Sequence, residues 1–449
     1  MQTTMVSRVV SARRVTACLP LLAASSLWTL AACGTAGTAS DGTNVDALPG
    51  LELEEEMRIG SVDDPELGFS QIGGVVLDRD GNAFVSERLE RKIRVYDPTG
   101  ALLRTIGRRG GGPGEFQTLS DFGVVGDTLW VYDSPQRRIT LFDRTGRMLT
   151  TVPAAGLSLP TESAAGLTIR IRPNAMREDG LFSSTYTMSV RAVDGALPTG
   201  GGDTLRVPRL VFDAAGAVVD TVGFHTFVTP NFGAPSTVDR IKIGDREYPR
   251  PQPFSAEPLR SRLDDGELIV DRALATSSDA GSFTVTRIGP EGDTLFVRSF
   301  RYRPRGYDDA VVDTMIAARV ASASRGGSLA MLSGTGVIVS PASGSGPPEN
   351  PDVLERGFRD ALVLPGFQPP VAQHRRGEDG SYWLRREEDA AGTFRWLVLN
   401  EDGSPRGEVR VPRRLTMYWT DGEQVWGAER DEFDVPWLVK YRIVEAGVT

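Results

Sequence analysis

The chain has 449 residues, of which 40% are hydrophobic and 24% charged, so neither a wholly disordered protein nor a polytopic membrane protein fits. Its formal net charge of −9 and pI near 5.1 would repel a phosphate backbone, and we therefore expect no nucleic-acid partner. At this length, one closed β architecture and two ordinary domains are both open.

The first 32 residues predict a signal peptide. Three arginines precede an apolar run shorter than the ~20 residues that a membrane-spanning helix needs. The run ends in a segment that resembles the lipobox of bacterial lipoproteins, Leu30-Ala31-Ala32-Cys33-Gly34. This resemblance implies acylation of Cys33 and, because Gly34 follows it, an outer-membrane protein facing the periplasm. The alternative is an uncleaved anchor helix with an ordinary cysteine.

Residues 33–50 predict a lipidated, flexible tether, because they are mostly Gly, Thr, Ala, Ser and Asp. The only cysteines are Cys18 and Cys33, so residues 51–449 contain no thiol for a disulfide, a metal or a nucleophile.

One short pattern recurs along residues 51–449: an apolar run, an Asp-rich turn, a Gly and a second run. Its five copies end in Asp97-Pro98-Thr99-Gly100, Asp143-Arg144-Thr145-Gly146, Asp213-Ala214-Ala215-Gly216, Gly289-Pro290-Glu291-Gly292 and Asn400-Glu401-Asp402-Gly403. Asp and Asn side chains accept bonds from nearby backbone amides, and Gly supplies the positive φ that closes a hairpin. Each copy should join the two outer strands of a four-stranded blade.

A second turn signal precedes each copy, at Asp80-Gly81, Gly126-Asp127, Asp179-Gly180, Asp265-Gly266 and Asp379-Gly380. Two hairpins in succession make the antiparallel meander of a propeller blade. A sixth unit follows Asp421-Gly422 but is short by one strand, which the apolar positions around residues 57–59 could supply. The prediction is an all-β, six-bladed β-propeller over residues 51–449.

Residues 71–152 resemble NHL repeats, notably in Arg91-Lys92-Ile93-Arg94-Val95-Tyr96-Asp97 and Arg137-Arg138-Ile139-Thr140-Leu141-Phe142-Asp143. Residues 379–443 resemble the end of uncharacterised six-bladed propeller proteins of environmental bacteria. These resemblances imply a fold and no activity.

Two insertions interrupt the repeat. Residues 224–254 predict a long loop that carries His225 and several prolines. Residues 303–368, between blades 4 and 5, predict a helix over 308–321, capped by Asp308 or Asp309, and a second helix around 353–364.

For each candidate chemical site in the sequence, a structural role explains the residues better than a chemical one. The Gly-rich segment 107–114 lacks the features of a P-loop and predicts a connector between blades, although its glycines and arginines would suit an anion. The segment that starts at Asp78 departs from a calcium loop and predicts a hairpin turn. His225 and His374, the only histidines, are too few for a histidine-rich metal site or a His-dependent triad. The tryptophans of the final third predict core positions.

We therefore predict a binding or scaffold propeller for an envelope protein, peptide or glycan, with no catalytic, cofactor or metal residues evident. The alternative is a hydrolase resembling the calcium-dependent propeller lactonases, in which Asp121 or Asp264 would face the central channel and help to hold calcium.

Overall fold

The computed structural model describes residues 42–64, 67–154, 157–160, 167–190, 204–228, 240–249, 258–263, 265–324, 330–331, 338–339, 349–388 and 392–446. Cys33 and Asp264 lie outside these ranges. The described chain forms successive antiparallel sheets of a propeller, which confirms the predicted all-β, six-bladed fold.

The strands follow in chain order. The described chain opens with β1 (Thr43–Asn44), a one-turn 3-10 helix (Val45–Ala47) and β2 (Gly50–Ile59). Blade 1 contains β3 (Ile72–Leu77), β4 (Ala83–Glu87), β5 (Lys92–Tyr96) and β6 (Leu102–Ile106). Blade 2 contains β7 (Asp121–Val125), β8 (Thr128–Asp133), β9 (Arg138–Asp143) and β10 (Met148–Pro153). Blade 3 contains β11 (Leu157–Pro160), which pairs with β12 (Leu167–Met176), and then β13 (Phe182–Val190), β14 (Thr204–Phe212) and β15 (Val218–Val228).

The second half of the ring carries the insertions. A hairpin of β16 (Arg240–Ile243) and β17 (Arg246–Pro249) precedes blade 4, which contains β18 (Leu259–Leu263), β19 (Gly266–Asp271), β20 (Gly281–Ile288) and β21 (Thr294–Tyr302). Next come α1 (Asp309–Ser324), β22 (Ala330–Met331), β23 (Ile338–Val339) and α2 (Pro351–Asp360). Blade 5 contains β24 (Gln373–Arg376), β25 (Tyr382–Glu388), β26 (Thr393–Leu399) and β27 (Pro405–Pro412). Blade 6 contains β28 (Leu415–Thr420), β29 (Gln424–Arg430), β30 (Pro436–Glu445) and β2.

The repeated turns join the strands that the sequence predicts them to join. All five Asp-rich copies join the third and fourth strands of a blade, and all five earlier signals join the first and second. In blade 1 the Asp97 carboxylate accepts from the backbone N–H groups of Thr99 and Ala101, both at 2.9 Å, and Gly100 has φ +87°. These bonds lie within five residues, so the turn is encoded locally.

The amino-terminal segment closes the ring. Strand β2 pairs antiparallel with β30 and supplies the strand missing from blade 6, as predicted, with Arg58 opposite Val439. Residues 42–50, which the sequence analysis places in the tether, also contact the ring. Strand β1 runs parallel to β21 of blade 4, Val45 is fully buried, and Gly50 and Leu51 pair with β27 of blade 5. This one segment therefore contacts three consecutive blades.

Apolar clusters hold consecutive blades together. Among the described residues such clusters lie between blades 1 and 2, 2 and 3, 4 and 5, 5 and 6, and 6 and 1. Trp383, Trp396 and Trp426 are buried in them, while Trp419 and Trp437 are partly buried against them, which confirms the predicted core role of these side chains. Alternate residues of each strand face opposite neighbouring blades, so blades 1, 2, 5 and 6 carry apolar side chains on both sides.

The insertions pack on each other. Both predicted helices are present as α1 and α2, and the Asp308 carboxylate caps α1 by accepting from the Val311 N–H at 2.9 Å. The predicted loop over 224–254 is different: His225 lies in β15, and the hairpin β16–β17 follows. Ile243 and Tyr248 of this hairpin share a core with Phe358 of α2. Among the described residues, no helix is both long and apolar enough to span a membrane.

Candidate functional site

A cavity of about 180 Å³ lies at the first strands of blades 1, 2 and 6. The strand that begins the four-stranded meander of each blade, here called its inner or first strand, is β3, β7, β12, β18, β24 or β28 in blades 1 to 6; β11 is an additional strand that pairs with β12 in blade 3. The polar side chains that line the cavity come from the end of β4, the start of β7 and the middle of β28, and they are Ser86, Arg88, Ser120, Asp121 and Tyr418. The cavity therefore opens where strand one of a blade begins and strand two ends.

Two glycines make room for this cavity. A Cβ atom on Gly73 would lie 2.5 Å from Cγ of Arg88, and one on Gly74 would lie 3.0 Å from Cε1 of Phe122. The pairing of β3 with β4 also shifts register between Ile72 and Gly74. Such a bulge re-aims nearby side chains and is common beside functional sites. The Gly-Gly pair thus lets the stem of Arg88 lie flat against β3.

Asp121 is a half-buried carboxyl that pairs with no basic group in the described structure. It accepts one hydrogen bond, from the N–H of the adjacent Phe122 at 3.0 Å. Burial raises the pKa of Asp121 above its ordinary value, although the positive charge of Arg172 acts in the opposite direction. The Tyr418 hydroxyl donates to the carbonyl oxygen of Ile72 at 2.9 Å, and burial raises the pKa of Tyr418 as well. The cavity therefore combines hydrogen-bond donors with a carboxyl group that is poorly compensated.

Replacing Asp121 by Asn tests this electrostatic description. Because the pKa of Asp121 is raised, there is a pH range between the ordinary pKa and the folded pKa. In this range the folded protein keeps a proton on Asp121 that the unfolded chain has released. This contribution to stability is present below the ordinary pKa of 3.8 and is lost as pH rises through the folded pKa. Asp121→Asn cannot ionise, so we expect its melting temperature to exceed that of the wild type by an amount that grows from pH 4 to pH 7.

Asp97→Asn is the matched control with the opposite sign. The Thr99 hydroxyl and the turn amides lower the pKa of Asp97, so its contribution is present above the ordinary pKa and is lost on acidification. Asp97→Asn should be less stable than the wild type at pH 7 and approach it at low pH. A difference between Asp121→Asn and the wild type that does not change with pH would contradict the description of Asp121.

The inner strands carry positive charge in a chain that is acidic overall. Six arginines lie on the inner strands of blades 3, 4 and 5, at Arg170, Arg172, Arg260, Arg262, Arg375 and Arg376, whereas Asp121 is the only acidic residue on the six inner strands. Arg260 and Arg376 form ion pairs with Glu267 and Asp265, respectively.

Other inner-strand guanidiniums have no carboxylate partner in the described chain. Arg172 stacks on the Tyr132 ring at 4.2 Å, and Arg375 donates to the carbonyl oxygen of Tyr418 at 2.6 Å. Arg170 is exposed and forms no ion pair with a described residue. Arg172 acts on Asp121 and Arg375 donates to Tyr418, so both lie near the cavity. The cavity with Arg88, Arg170, Arg172 and Arg375 is called the channel end here, and its positive charges suit anionic ligands.

The Gly-rich segment 107–114 is a connector, as predicted. Its potential anion-binding groups already contact Glu115, whose carboxylate accepts from the N–H of Gly112 and from Nε of Arg108, both at 2.9 Å. Gly107 has φ +78°, and a Cβ there would lie 2.2 Å from the buried ring of Phe116. The segment therefore folds around its own side chains.

The other candidate residues have separate positions. The Asp78 carboxylate accepts from the N–H groups of Asp80 and Asn82, both at 2.9 Å, which confirms the predicted hairpin turn. His374 lies on β24, where burial lowers its pKa, and His225 lies on the outer strand of blade 3. Among the described residues, no group of three or more His, Cys, Asp or Glu side chains is placed to hold a metal.

Buried acidic residues at the ends of second strands were not predicted from the sequence. Glu87 ends β4 and accepts from the N–H of Ser70 at 3.1 Å, and Asp133 ends β8 and accepts from the N–H of Gln117 at 2.7 Å. Each acid thus holds the segment that leads into its blade. An acidic residue at the end of the second strand of several blades, as in Glu87, Asp133 and Glu429, was the available signal.

Comparison with known proteins supports the fold. Residues 66–154, less than half of the chain, match the model of the family DUF5128, described as a 6-bladed β-propeller. Three solved structures are similar over most of their length. A protein from Bacteroides fragilis described as exported is 11% identical, with 90% of this chain and 97% of that chain covered and a TM-score of 0.40. A DUF4221 family member from Bacteroides vulgatus is 10% identical, with 88% and 99% covered and a TM-score of 0.38.

The third structure is the calcium-binding protein regucalcin from Agrobacterium tumefaciens, 12% identical, with 88% of this chain and 96% of that chain covered and a TM-score of 0.32. At these identities and TM-scores the likeness carries no argument about activity. No curated protein matches the chain.

Proposed function

We propose that this chain is a binding propeller of the bacterial cell envelope, whose channel end takes an anionic segment of a peptide or glycan. The observation that carries the proposal is the excess of arginine on the inner strands of a protein with net charge −9. Charge complementarity of this kind steers association and selects partners. The cavity at Arg88 and Asp121 would then receive one polar group of the same partner.

The address is part of the proposal. The lipobox-like end of the apolar run supports export and acylation of Cys33, which would hold the propeller at the outer membrane, facing the periplasm. The NHL-like residues Arg94 and Arg138 have structural roles that fit this resemblance. Arg94 donates to the carbonyl oxygen of Gly68 at 2.8 Å and Arg138 to that of Gly112 at 2.7 Å, so both hold connectors between blades.

The test is binding of labelled anionic probes to the whole chain in detergent. The probes are an oligogalacturonate and a hexaglutamate peptide, each titrated by fluorescence anisotropy at low and high salt. We expect the double variant Arg88→Gln, Arg170→Gln to bind the preferred probe about tenfold more weakly, which corresponds to roughly 1.4 kcal/mol. Both side chains are exposed and have no ion-pair partner in the described chain, so the fold should not change.

The matched control is the double variant Arg298→Gln, Arg410→Gln, which has the same net charge but changes arginines on outer strands. We expect its affinity to stay close to that of the wild type. Equal weakening in both double variants would mean that only net charge matters, and the proposal would then be wrong. Calcium-dependent hydrolysis of lactones or esters by the wild type would instead favour the hydrolase alternative.

A further inference from the structure

The space between blades 3 and 4 differs from the other spaces between blades. The apolar clusters of the described residues lie in the other five spaces, whereas this one contains a cleft of about 540 Å³. A volume of this size falls in the usual range for small-molecule sites. Its walls are β14 and β15 of blade 3 on one side and the start of β19 with the β20–β21 turn of blade 4 on the other.

A bulge in blade 3 presents an arginine to this cleft. In the pairing of β14 with β15, Pro208 is opposite Phe224 and Leu210 is opposite Thr221, so Arg209 alone faces two residues of β15. One of them is Gly223, whose φ of +142° disfavours other residues. The register shift coincides with a break in the alternation of β14: Val207 and Leu210 both face the core between blades 2 and 3, and Arg209 lines the cleft.

Arg209 is buried without a partner. Its side chain lines the cleft, the residue is only 9% exposed, and its guanidinium forms no hydrogen bond or ion pair within the described chain. Charges that are mostly buried in proteins are normally paired, and an anion bound in the cleft would supply the partner that Arg209 lacks. Arg287, a buried arginine of the neighbouring blade, shows the usual arrangement: it pairs with Asp265 at 2.7 Å and donates to the Tyr382 hydroxyl at 3.0 Å.

The remaining charges of the cleft are consistent with an anionic ligand. Arg206 lies over the exposed ring of Phe224, with 4.3 Å from its guanidinium carbon to the ring centroid. Two carboxylates also line the cleft. Glu267 is 3.4 Å from Arg260, which offsets its charge, and Glu291 is exposed in the β20–β21 turn. The most buried charge in the cleft is therefore the positive charge of Arg209.

We propose that this cleft is an oxyanion-binding site, in which Arg209 binds a carboxylate or phosphate group of a small organic ligand and Arg206 with Phe224 contacts the body of that ligand. The site is separate from the channel end. The cleft lies at the hairpin turns that join strands one and two and strands three and four of blade 4, whereas the channel cavity lies at the opposite end of the strands.

The experiment uses the whole chain in detergent with two probes, inorganic phosphate and D-glucuronate. Saturating ligand should raise the melting temperature of the wild type by about a degree or two, and calorimetric titration should give the affinity. Arg209→Met keeps the length of the side chain and removes the charge. We expect this variant to lose the ligand-dependent rise and to melt, without ligand, at or above the wild-type temperature. Arg209→Lys should retain part of the rise.

The controls separate this site from others. Arg298→Met changes an arginine that stacks on Phe296 in blade 4, outside the cleft, and should respond as the wild type does. The Arg88→Gln, Arg170→Gln double variant should also keep the response, so failure of the channel proposal and failure of this one are distinguishable. A response to phosphate alone identifies a phosphate ligand, and a response to glucuronate alone identifies a carboxylate.

Three results would overturn the inference. The first is a wild type that responds to neither probe, and the second is an equal response in Arg209→Met. The third is an Arg209→Met variant that melts several degrees below the wild type without ligand, because a purely structural arginine would behave in that way.

Discussion

A chain that starts at Gly60, and so lacks β2, is expected to lose the single cooperative unfolding transition that a closed ring should show. Deletion of β2 exposes the edge of β30 and removes Leu53, Met57 and Ile59 from the clusters on either side of blade 6. An unpaired edge of this length invites aggregation. We expect insoluble protein or a broad, low-temperature transition, measured by calorimetry and light scattering against a chain that starts at Gly42.

A chain that starts at Leu51 is the matched control. It lacks β1 and the buried Val45 but retains nearly all of β2. Loss of one fully buried valine costs roughly 2 kcal/mol, so this chain should fold and melt a few degrees lower. A synthetic peptide of residues 50–59 should restore the Gly60 chain by pairing with β30. If the Gly42 and Gly60 chains unfold alike, β2 does not hold the ring closed.

The second large effect is expected from Arg386, whose side chain is fully buried in blade 5. Arg386 pairs with Glu408 and lies 3.4 Å from Glu387, and Arg395 pairs with the same two glutamates. Asp46 of the amino-terminal segment is 3.5 Å from Arg386. Arg386→Met would leave the buried carboxylates of Glu387 and Glu408 with Arg395 and with the exposed Arg305, which lies 3.6 Å from Glu387. Because an uncompensated buried charge costs several kcal/mol, we expect a loss of about 3 kcal/mol in the free energy of unfolding.

Arg410→Met on β27 is the control for Arg386→Met. Arg410 is 65% exposed and lies 3.7 Å from Glu52, also at the surface. Exposed pairs contribute about 0 to 1 kcal/mol, so this variant should unfold almost as the wild type does. The measurement is urea unfolding at pH 7. Equal losses in both variants would show that burial of the Arg386 network does not determine its contribution.

Several features of the site were predictable, and several were not. Asp121 was a candidate because it begins an inner strand, and the structure places it at the channel cavity. Arg209 was not, because nothing in its neighbourhood in the sequence marks it. Arg209 is a candidate ligand-binding residue because it lies at a bulge, because the register of β15 places it at the cleft, and because it has no partner in the described chain. Each of these depends on residues outside its own strand.

The boundary of the tether illustrates the same limit. Val45 and Asp46 lie in a polar stretch that predicts no packing, yet Val45 is buried and Asp46 accepts from the N–H of Arg303 at 2.7 Å. These partners are about 250 residues away in the chain, so no local pattern reports them. The sequence predicts that His225 lies in a loop that interrupts the repeat, whereas pairing with β14 extends β15 to Val228.

The sequence by itself determined the number of blades, the position of the turns and the helices of the insertion. These features depend on contacts within a few residues: Asp and Gly in the hairpin turns, strand alternation and the cap of α1. The tertiary structure alone decided where charge collects, at the arginines of the inner strands, and where it is left uncompensated, at Arg209. The physical reason is that electrostatic energy depends on distance and burial between residues far apart in the chain, and only the closed ring sets these quantities.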